Sequence, residues 1–373
     1  MKYKCLLLSL IIFTAATACT DIDTYPTGEE TVYFLNPYED INWETVKYYH
    51  GNLQAHTTFS DGSNDPHQII DKYHEMGYHI LALTDHDTDH HHVYPRPLYP
   101  WTELNDIYVQ VKDKINPRYN ETFGERANEE WQNRNPAELG MLAIQGSELS
   151  FGHHIGSYFS DYAGVEINEE LYVEEVGRRN GLAIILHPGR YFRVASWYVD
   201  FFRKYPHVIG LEVYNQADRY PVDRAKWDFI LHELMPDRPV WGFANDDTHN
   251  AAHFGWNRNV FLIPDLTHEN VRKAMERGHL NLFIPIEAEG RPDISIRNIK
   301  SDPGILELSI DGDYHTIEWI THNPVTFKSE TVHTGHLLSI KDIPASATFV
   351  RAVILSDGGR TYTQPFGIMR EDN

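Results

Sequence analysis

Ile80-Leu81-Ala82-Leu83-Thr84-Asp85-His86-Asp87 joins four consecutive apolar residues to a cluster of carboxylate and imidazole side chains. An apolar run this short, without polar alternation, suits a strand buried on both faces of a parallel sheet. The same grammar recurs outward along the chain. Further buried-strand runs lie at Leu142-Ala143-Ile144, at residues 182–186, at residues 208–213 and at residues 240–244. Glu148 follows the first of these, His187 the second, and Asp246, Asp247 and His249 the last. Upstream, the segment from Asn52 to Gly62 carries Gln54, His56 and Asp61.

Helical stretches separate the runs. Pro66 to Met76 has Asp65 as N-cap, Pro66 at the first helical position and Gly77 beyond its end. Glu169 to Asn180 is stopped by Gly181. Strand–helix alternation over about 250 residues predicts an α/β barrel. In such a barrel the C-terminal strand ends form one mouth, so scattered histidines and carboxylates converge on one pocket. Gathered there without a cation they would repel one another, and a metal site is the economical reading.

Composition agrees. The 373 residues fit one large domain plus a small one. With 54 acidic against 32 basic side chains the formal charge is −22, which disfavours nucleic acid or an anionic bilayer as partner. Two cysteines exclude a disulfide framework and a Cys-rich metal site, whereas 22 histidines supply imidazole for Zn, Mn or Fe.

Residues 285–373 change character. Ile305-Leu306-Glu307-Leu308-Ser309-Ile310 and the run from Phe349 to Leu355, with turns at Asp311-Gly312-Asp313 and Asp357-Gly358-Gly359, predict a small all-β sandwich. The barrel is expected over residues 32–284, interrupted by a cap-like insertion at residues 94–139. At the N-terminus, Lys2 and Lys4 precede an apolar core at residues 6–13 that is too short to span a bilayer, and the stretch ends in Ala15-Ala16-Thr17-Ala18-Cys19. This is the pattern of a signal peptide over residues 1–18, with lipidation of Cys19 and a polar tether over residues 19–31. The chain is expected to be exported and held at a membrane surface only through that anchor.

The ordered set Gln54-x-His56, Ser60-Asp61-Gly62, Thr84-Asp85-His86-Asp87, Gly146-x-Glu148, His154-Ile155-Gly156, His187-Pro188 and Asp247-x-His249 resembles the polymerase-and-histidinol-phosphatase (PHP) family. The resemblance covers about Tyr48 to Leu282. The trailing Tyr362-Thr363-Gln364-Pro365-Phe366 resembles the C-terminal module of secreted members. It implies a distorted seven-stranded (β/α) barrel, two or three divalent metal ions, and phosphoester hydrolysis as the commonest activity. Carried over, His56, Glu148 and Asp247 would ligate one metal. Glu148, His154 and His187 would hold a second, and Asp61, His86 and His249 a third. The family motif usually opens His-x-His. Gln54 stands at that first position, and its amide oxygen is a poorer Zn ligand than imidazole, so the first metal is expected to bind more weakly.

Divalent ions lower the pKa of bound water toward ~7, and the resulting hydroxide would attack the ester. Arg190, three residues beyond His187, is expected to pair with a substrate phosphate, and Arg190 and Asp247 are the candidate catalytic residues. Asp87 and Asp246 flank ligand positions and suit orienting or strand-capping roles. Trp101, Trp131 and Trp197 are candidates to stack on a sugar or aromatic group, and His253 lies four residues past His249. The expected substrate is a small-molecule or glycan-linked ester. Hydrolysis of a carboxylic or carbamic ester on the same scaffold, and a non-catalytic binding lipoprotein, are the alternatives.

Overall fold

The computed structural model describes residues 31–58, 60–89, 92–95, 134, 136–160, 162, 168–287 and 294–371. The signal peptide, Cys19, most of the 94–139 insertion, Trp101 and Trp131 lie outside the described residues.

The chain opens with β1 (Thr31–Leu35) and β2 (Lys47–Asn52). It continues through α1 (Pro66–Glu75), β3 (Ile80–Leu83), the short pair β4 (Thr88–Asp89) and β5 (His92–Pro95), β6 (Leu142–Leu149), β7 (Ile155–Tyr158) and α2 (Glu169–Arg178). Then follow β8 (Leu182–Ile185), α3 (Ala195–Lys204), β9 (Val208–Asn215), α4 (Val222–Leu234), β10 (Trp241–Asn245), β11 (Arg258–Ile263), α5 (His268–Arg277) and β12 (Leu280–Pro285). The remainder is almost entirely strand: β13 (Ser295–Asp302), β14 (Ile305–Asp311), β15 (Thr316–Asn323), β16 (Lys328–Thr334), β17 (Leu337–Ser339), β18 (Phe349–Leu355), β19 (Gly359–Tyr362) and β20 (Phe366–Glu371).

Local chemistry sets the helix ends. Asp65 starts α1, its backbone N–H donating to Gln68 Oε1 at 2.9 Å, with Pro66 at the first position. Asn168 and Thr267 cap α2 and α5 by accepting from Leu171 N and Asn270 N. The inner faces bury Ile69, Ile70 and Tyr73 of α1 and Tyr198, Val199 and Phe202 of α3.

Strands β2, β3 and β6 pair in parallel, as do β8, β9 and β10. Between them β7 runs antiparallel to both β6 and β8, where simple alternation predicts a parallel strand. The reason is connection length: the turn at 150–154 makes β6 and β7 a hairpin, and a parallel neighbour needs a long crossover. The two ends of this path meet at a parallel bridge between Ala55 and Thr248, with His56 N donating to Thr248 O at 2.8 Å. The interior is filled by residues such as Ile144, Ile184, Leu211 and Phe243.

Beyond β2 the sheet continues antiparallel through β11, β12, β19, β18, β20 and β1, making a sheet of fifteen strands among the described residues, with β15 and β16 off its path. Strands β13, β14 and β17 form a separate three-stranded sheet. A second apolar core, with Ile296, Leu306, Leu308, Trp319, Val350 and Phe366, belongs to this β-rich part. The first strand corrects a boundary. Residues 32–46 were expected in the barrel and Thr31 in a tether, but β1 pairs with β20, from Thr31↔Glu371 to Leu35↔Gly367. Its apolar Phe34 is buried in the second core, which outweighs its place in the chain.

Polar side chains fasten the β-rich part to α4, β9 and β10. Arg351 of β18 makes two hydrogen bonds to Asp228 of α4, at 2.7 and 2.8 Å, both side chains buried. Tyr214 and Tyr362 hydroxyls meet at 2.6 Å, and the Gln364 amide bonds both the N–H and the C=O of Gly242 at 2.9 Å. Among the described residues, no helix is long and apolar enough to cross a membrane.

Candidate metal centre

The strand ends that carry the expected ligands are laddered to one another. Ala55 accepts from Thr84 N at 2.8 Å, and His86 bridges to Glu148 in parallel, with Glu148 N donating to Asp85 O at 3.2 Å. Leu186 N donates to His154 O at 3.1 Å, which sets His187 beside His154. Asp61 is delivered by a tight turn in which Ser60 N and Gly62 N both donate to Thr57 O at 3.0 Å. A Cβ at Gly62 would lie 2.2 Å from His56 O, so only glycine fits that turn. Asp85 holds the same turn, accepting from Thr57 N and Thr57 Oγ1 at 2.8 Å and from Ser60 Oγ at 2.6 Å.

The side chains converge. His56 Nε2 lies 2.9 Å from Glu148 Oε2 and 3.1 Å from Asp247 Oδ1. His154 Nδ1 contacts Glu148 Oε1, and His187 Nε2 lies 3.2 Å from the same oxygen. Asp61 Oδ2 is 3.5 Å from His86 Nε2 and 3.4 Å from His249 Nε2, while Asp61 Oδ1 is 3.5 Å from His56 Nδ1. Among the described residues, three groups have ligand atoms all within 4.8 Å of one another: His56, Glu148 and Asp247; His86, Glu148 and His154; and His56, Asp61, His86 and His249. His187 touches Glu148 but is not within the second group.

The donor set fits divalent metal. His56 Nε2, Asp247 Oδ1 and His187 Nδ1 are buried and have no partner with hydrogen-bond geometry among the described residues. Such atoms crowd at a cost unless a shared cation satisfies them. His187 and Asp247 also hold positive φ, +28° and +47°, conformations that non-glycine residues keep only where the surroundings enforce them.

Burial and neighbouring charge oppose one another at each group of the cluster. Burial opposes ionisation of Glu148, but His154 and His86 draw its carboxyl well below the usual range. Burial likewise opposes ionisation of Asp247, and its contact with His56 holds it down at about 2. Burial would depress His56, yet Asp247 and Glu148 raise it well above the ordinary imidazole value. Burial lowers His154 to about 4 against the pull of Glu148.

Gln54 differs from its expected ligand role. It is fully buried, and its amide Nε2 donates to Glu148 Oε2 at 2.8 Å. Its oxygen, the atom able to ligate a metal, accepts from Asn215 Nδ2 at 3.1 Å. A carboxylate accepts and cannot donate, so the amide nitrogen must face Glu148. Gln54 therefore orients the central carboxylate.

Asp87 and Asp246 hold backbone. Asp87 Oδ1 accepts from Ser150 N and Ser150 Oγ at 2.9 and 3.1 Å, and burial pushes its carboxyl up to about 7. Asp246 accepts from Gly255 N, Asn257 N and Tyr73 Oη at 2.6, 2.8 and 3.0 Å, and burial raises it to about 7 as well. His153 points away from the cluster, its Nε2 at 3.0 Å from Tyr198 Oη. Trp197 stacks with the His153 and Phe201 rings, at centroid distances of 5.8 and 4.8 Å. His253 Nδ1 accepts from His249 N at 3.2 Å.

An open cleft of about 480 Å³ lies over the cluster, lined by Asp61, His86, Glu148, His187, Asp247 and His249 together with Arg190, Gln216, Arg219 and His253. Glu148 is 1% exposed and Asp61 49%, so the cluster is closed below and open above. Sequence reasoning missed three of the residues around it. Arg219 donates to Gln216 Oε1 at 2.8 Å, and Gln216 Nε2 donates to Asp247 O at 2.9 Å. Glu212, wholly buried on β9, accepts from His187 N, Asn215 Nδ2 and Asn245 Nδ2 at 2.8, 3.0 and 2.8 Å. Burial and the charge of Asp247 push its carboxyl well above the ordinary range. A charged residue inside the apolar run Gly210-Leu211-Glu212-Val213 was the available signal.

No protein-family model matches the chain, and no curated protein is similar to it. Among solved structures it is similar to a two-domain protein from Bacteroides vulgatus containing a predicted PHP-like metal-dependent phosphoesterase. The identity is 16% and the TM-score 0.48, over 87% of this chain and 96% of that one. It is also similar to a lesion-specific endonuclease from Pyrococcus furiosus, at 13% identity and TM-score 0.38 over 62% of this chain and 56% of that one. A third is an amidohydrolase from Chromobacterium violaceum with bound sulfate and no metal, at 14% identity and TM-score 0.33 over 54% and 87%.

Proposed function

We propose that the chain is a metal-dependent hydrolase of the PHP type that cleaves phosphate esters. The observation that carries this reading is the convergence of His56, Glu148 and Asp247 with His86, His154, His187, Asp61 and His249 beneath a cleft rimmed by Arg190 and Arg219. Two or three divalent ions, Zn, Mn or Fe, would be held by these histidines and carboxylates. Bound there, they supply Lewis acidity and make water a nucleophile at neutral pH.

The chain's own residues do the rest. Glu148, braced by Gln54, holds the centre of the cluster, and Glu212 fixes the backbone at His187. Gln216 steadies Asp247 from the cleft side. Arg190 and Arg219 give the cleft two guanidinium groups above an acidic floor, a pairing suited to phosphate oxygens and unnecessary for a neutral ester. The cleft's small size suits a small-molecule or glycan-linked phosphate, and the net charge of −22 disfavours nucleic acid. The distorted (β/α) barrel, export and lipid anchoring through Cys19 are parts of the same proposal.

The test is a substrate panel. Purified protein supplied with Zn, Mn or Fe should hydrolyse aryl phosphates well above aryl carboxylate esters. Preference for carboxylate esters would replace the phosphatase reading with ester hydrolysis on the same metal cluster. No hydrolysis of either, with metal bound, would favour a binding protein.

A further inference from the structure

We propose that Lys226, in α4, is a positioning residue that sets the direction of Arg190. The proposal rests on the phosphatase reading for its consequence, but its structural basis is independent. The backbone from His187 to Tyr191 leaves β8 through a single 3-10 turn, Pro188–Arg190, and places Arg190 on the cleft. The Lys226 ammonium reaches this turn from behind. It donates to Pro188 O at 2.6 Å and to Tyr191 O at 3.3 Å, the carbonyls on either side of Gly189 and Arg190, and lies 3.4 Å from Tyr198 Oη. Tyr198 Oη in turn donates to Pro188 O at 3.1 Å. All three donors of the ammonium are thereby directed at one short turn and its support.

A second contact from α4 closes the grip. Asp223 is fully buried one helical turn earlier, and a Cβ at Gly189 would lie 2.5 Å from its Oδ1. Position 189 thus needs glycine for α4 to press against the turn. The hydrogen bonds of the Lys226 ammonium go to these carbonyl and hydroxyl oxygens, while the Asp223 carboxyl on the same helix supports its charge through space. Holding a long, flexible cation in this way costs rotamer entropy, which its charge-assisted hydrogen bonds to the two carbonyls offset. Holding the peptide groups at the two ends of the Gly189–Tyr191 stretch fixes where the Arg190 guanidinium starts, and small displacements of a substrate-holding group are costly.

The experiment compares Lys226→Met, Lys226→Arg, Arg190→Ala and the double variant Arg190→Ala/Lys226→Met, all as full chains loaded with metal. Lys226→Met should raise KM for an aryl phosphate and weaken inhibition by inorganic phosphate, each about tenfold, with kcat nearly unchanged. Lys226→Arg should restore most of the loss. The double variant should be no worse than Arg190→Ala alone, because Lys226 acts through Arg190. An additive loss in the double variant overturns the proposal. Amide hydrogen exchange supplies a readout without substrate: the Arg190 and Tyr191 amides, which donate to His187 O and Pro188 O, should exchange faster in Lys226→Met and recover in Lys226→Arg. Unchanged exchange there overturns the positioning role whatever the substrate. If exchange rises but Arg190→Ala leaves phosphate kinetics intact, Arg190 does not hold phosphate and the kinetic part of the proposal is overturned; if exchange rises but the wild type hydrolyses no aryl phosphate, the phosphatase reading fails and the positioning role stands.

Discussion

Gln54 donates its side-chain N–H to Glu148 Oε2 at 2.8 Å while its oxygen is taken up by Asn215 at 3.1 Å. The residue that departs from the His-x-His pattern is thus a brace for the carboxylate on which His56, His154 and His187 all converge. Glu212 extends the brace, since Asn215 also donates to it and it accepts from His187 N.

The first prediction follows from that brace. Gln54→Leu should lower metal affinity by about 10- to 100-fold, the usual cost of losing an outer hydrogen bond to a ligand, while the fold is retained. Gln54→His should not raise the number of ions bound, because the imidazole would have to displace the hydrogen bonds to Glu148 and Asn215. Titration calorimetry of metal-free protein measures both. A higher stoichiometry in Gln54→His would show that position 54 is a weakened ligand after all.

A second prediction concerns the rim. Arg190→Ala should cost on the order of 2–4 kcal/mol in kcat/KM for an aryl phosphate and little for a neutral ester. Arg219→Ala should show the same selectivity. Equal losses on both substrate classes would make the two arginines structural.

Much of this site is legible in the sequence because chemistry there follows directly on strand ends: the runs at residues 80–83 and 182–186 stop, and His86 and His187 follow at once. What the sequence hides is set by the third dimension. The turn that brings Gln216 and Arg219 over Asp247 has positive φ at Gln216 and Ala217, +43° and +62°, with no glycine to mark it. The role of Gln54 depends on Asn215, far away in the chain, and the side-chain type alone fits either a ligand or a brace. β1 pairs with β20 at the opposite end of the described chain, a register that no local pattern encodes.

A third prediction uses the pH dependence of Asp223, whose carboxyl burial pushes up to about 7 from an ordinary 3.8. A carboxyl raised on folding contributes stability that is fully present below its unfolded value and is lost as pH climbs through its folded one. Metal-free wild type should therefore lose stability relative to Asp223→Asn between about pH 4 and 7, the variant's Tm advantage growing across that window. Paired thermal melts in a chelator test it. A Tm difference that stays flat with pH would mean that Asp223 is ionised throughout.

The joint between α4 and β18 gives a fourth. Arg351→Met leaves Asp228 buried without its two guanidinium bonds and should destabilise the chain by about 3–5 kcal/mol. Thermal unfolding followed by near-UV circular dichroism reads the change. A loss below about 1 kcal/mol, the range of an exposed pair, would mean that the joint is solvated.

The central claim is a metal cluster, and the most direct measurement is the metal content of the purified full chain after growth with Mn, Fe and Zn supplied, beside that of His187→Ala and His249→Ala. At least two divalent ions per chain are expected in the wild type. Each variant should hold fewer, with unchanged far-UV circular dichroism and no hydrolysis. Less than one ion per wild-type chain, or wild-type content in both variants, would contradict the account.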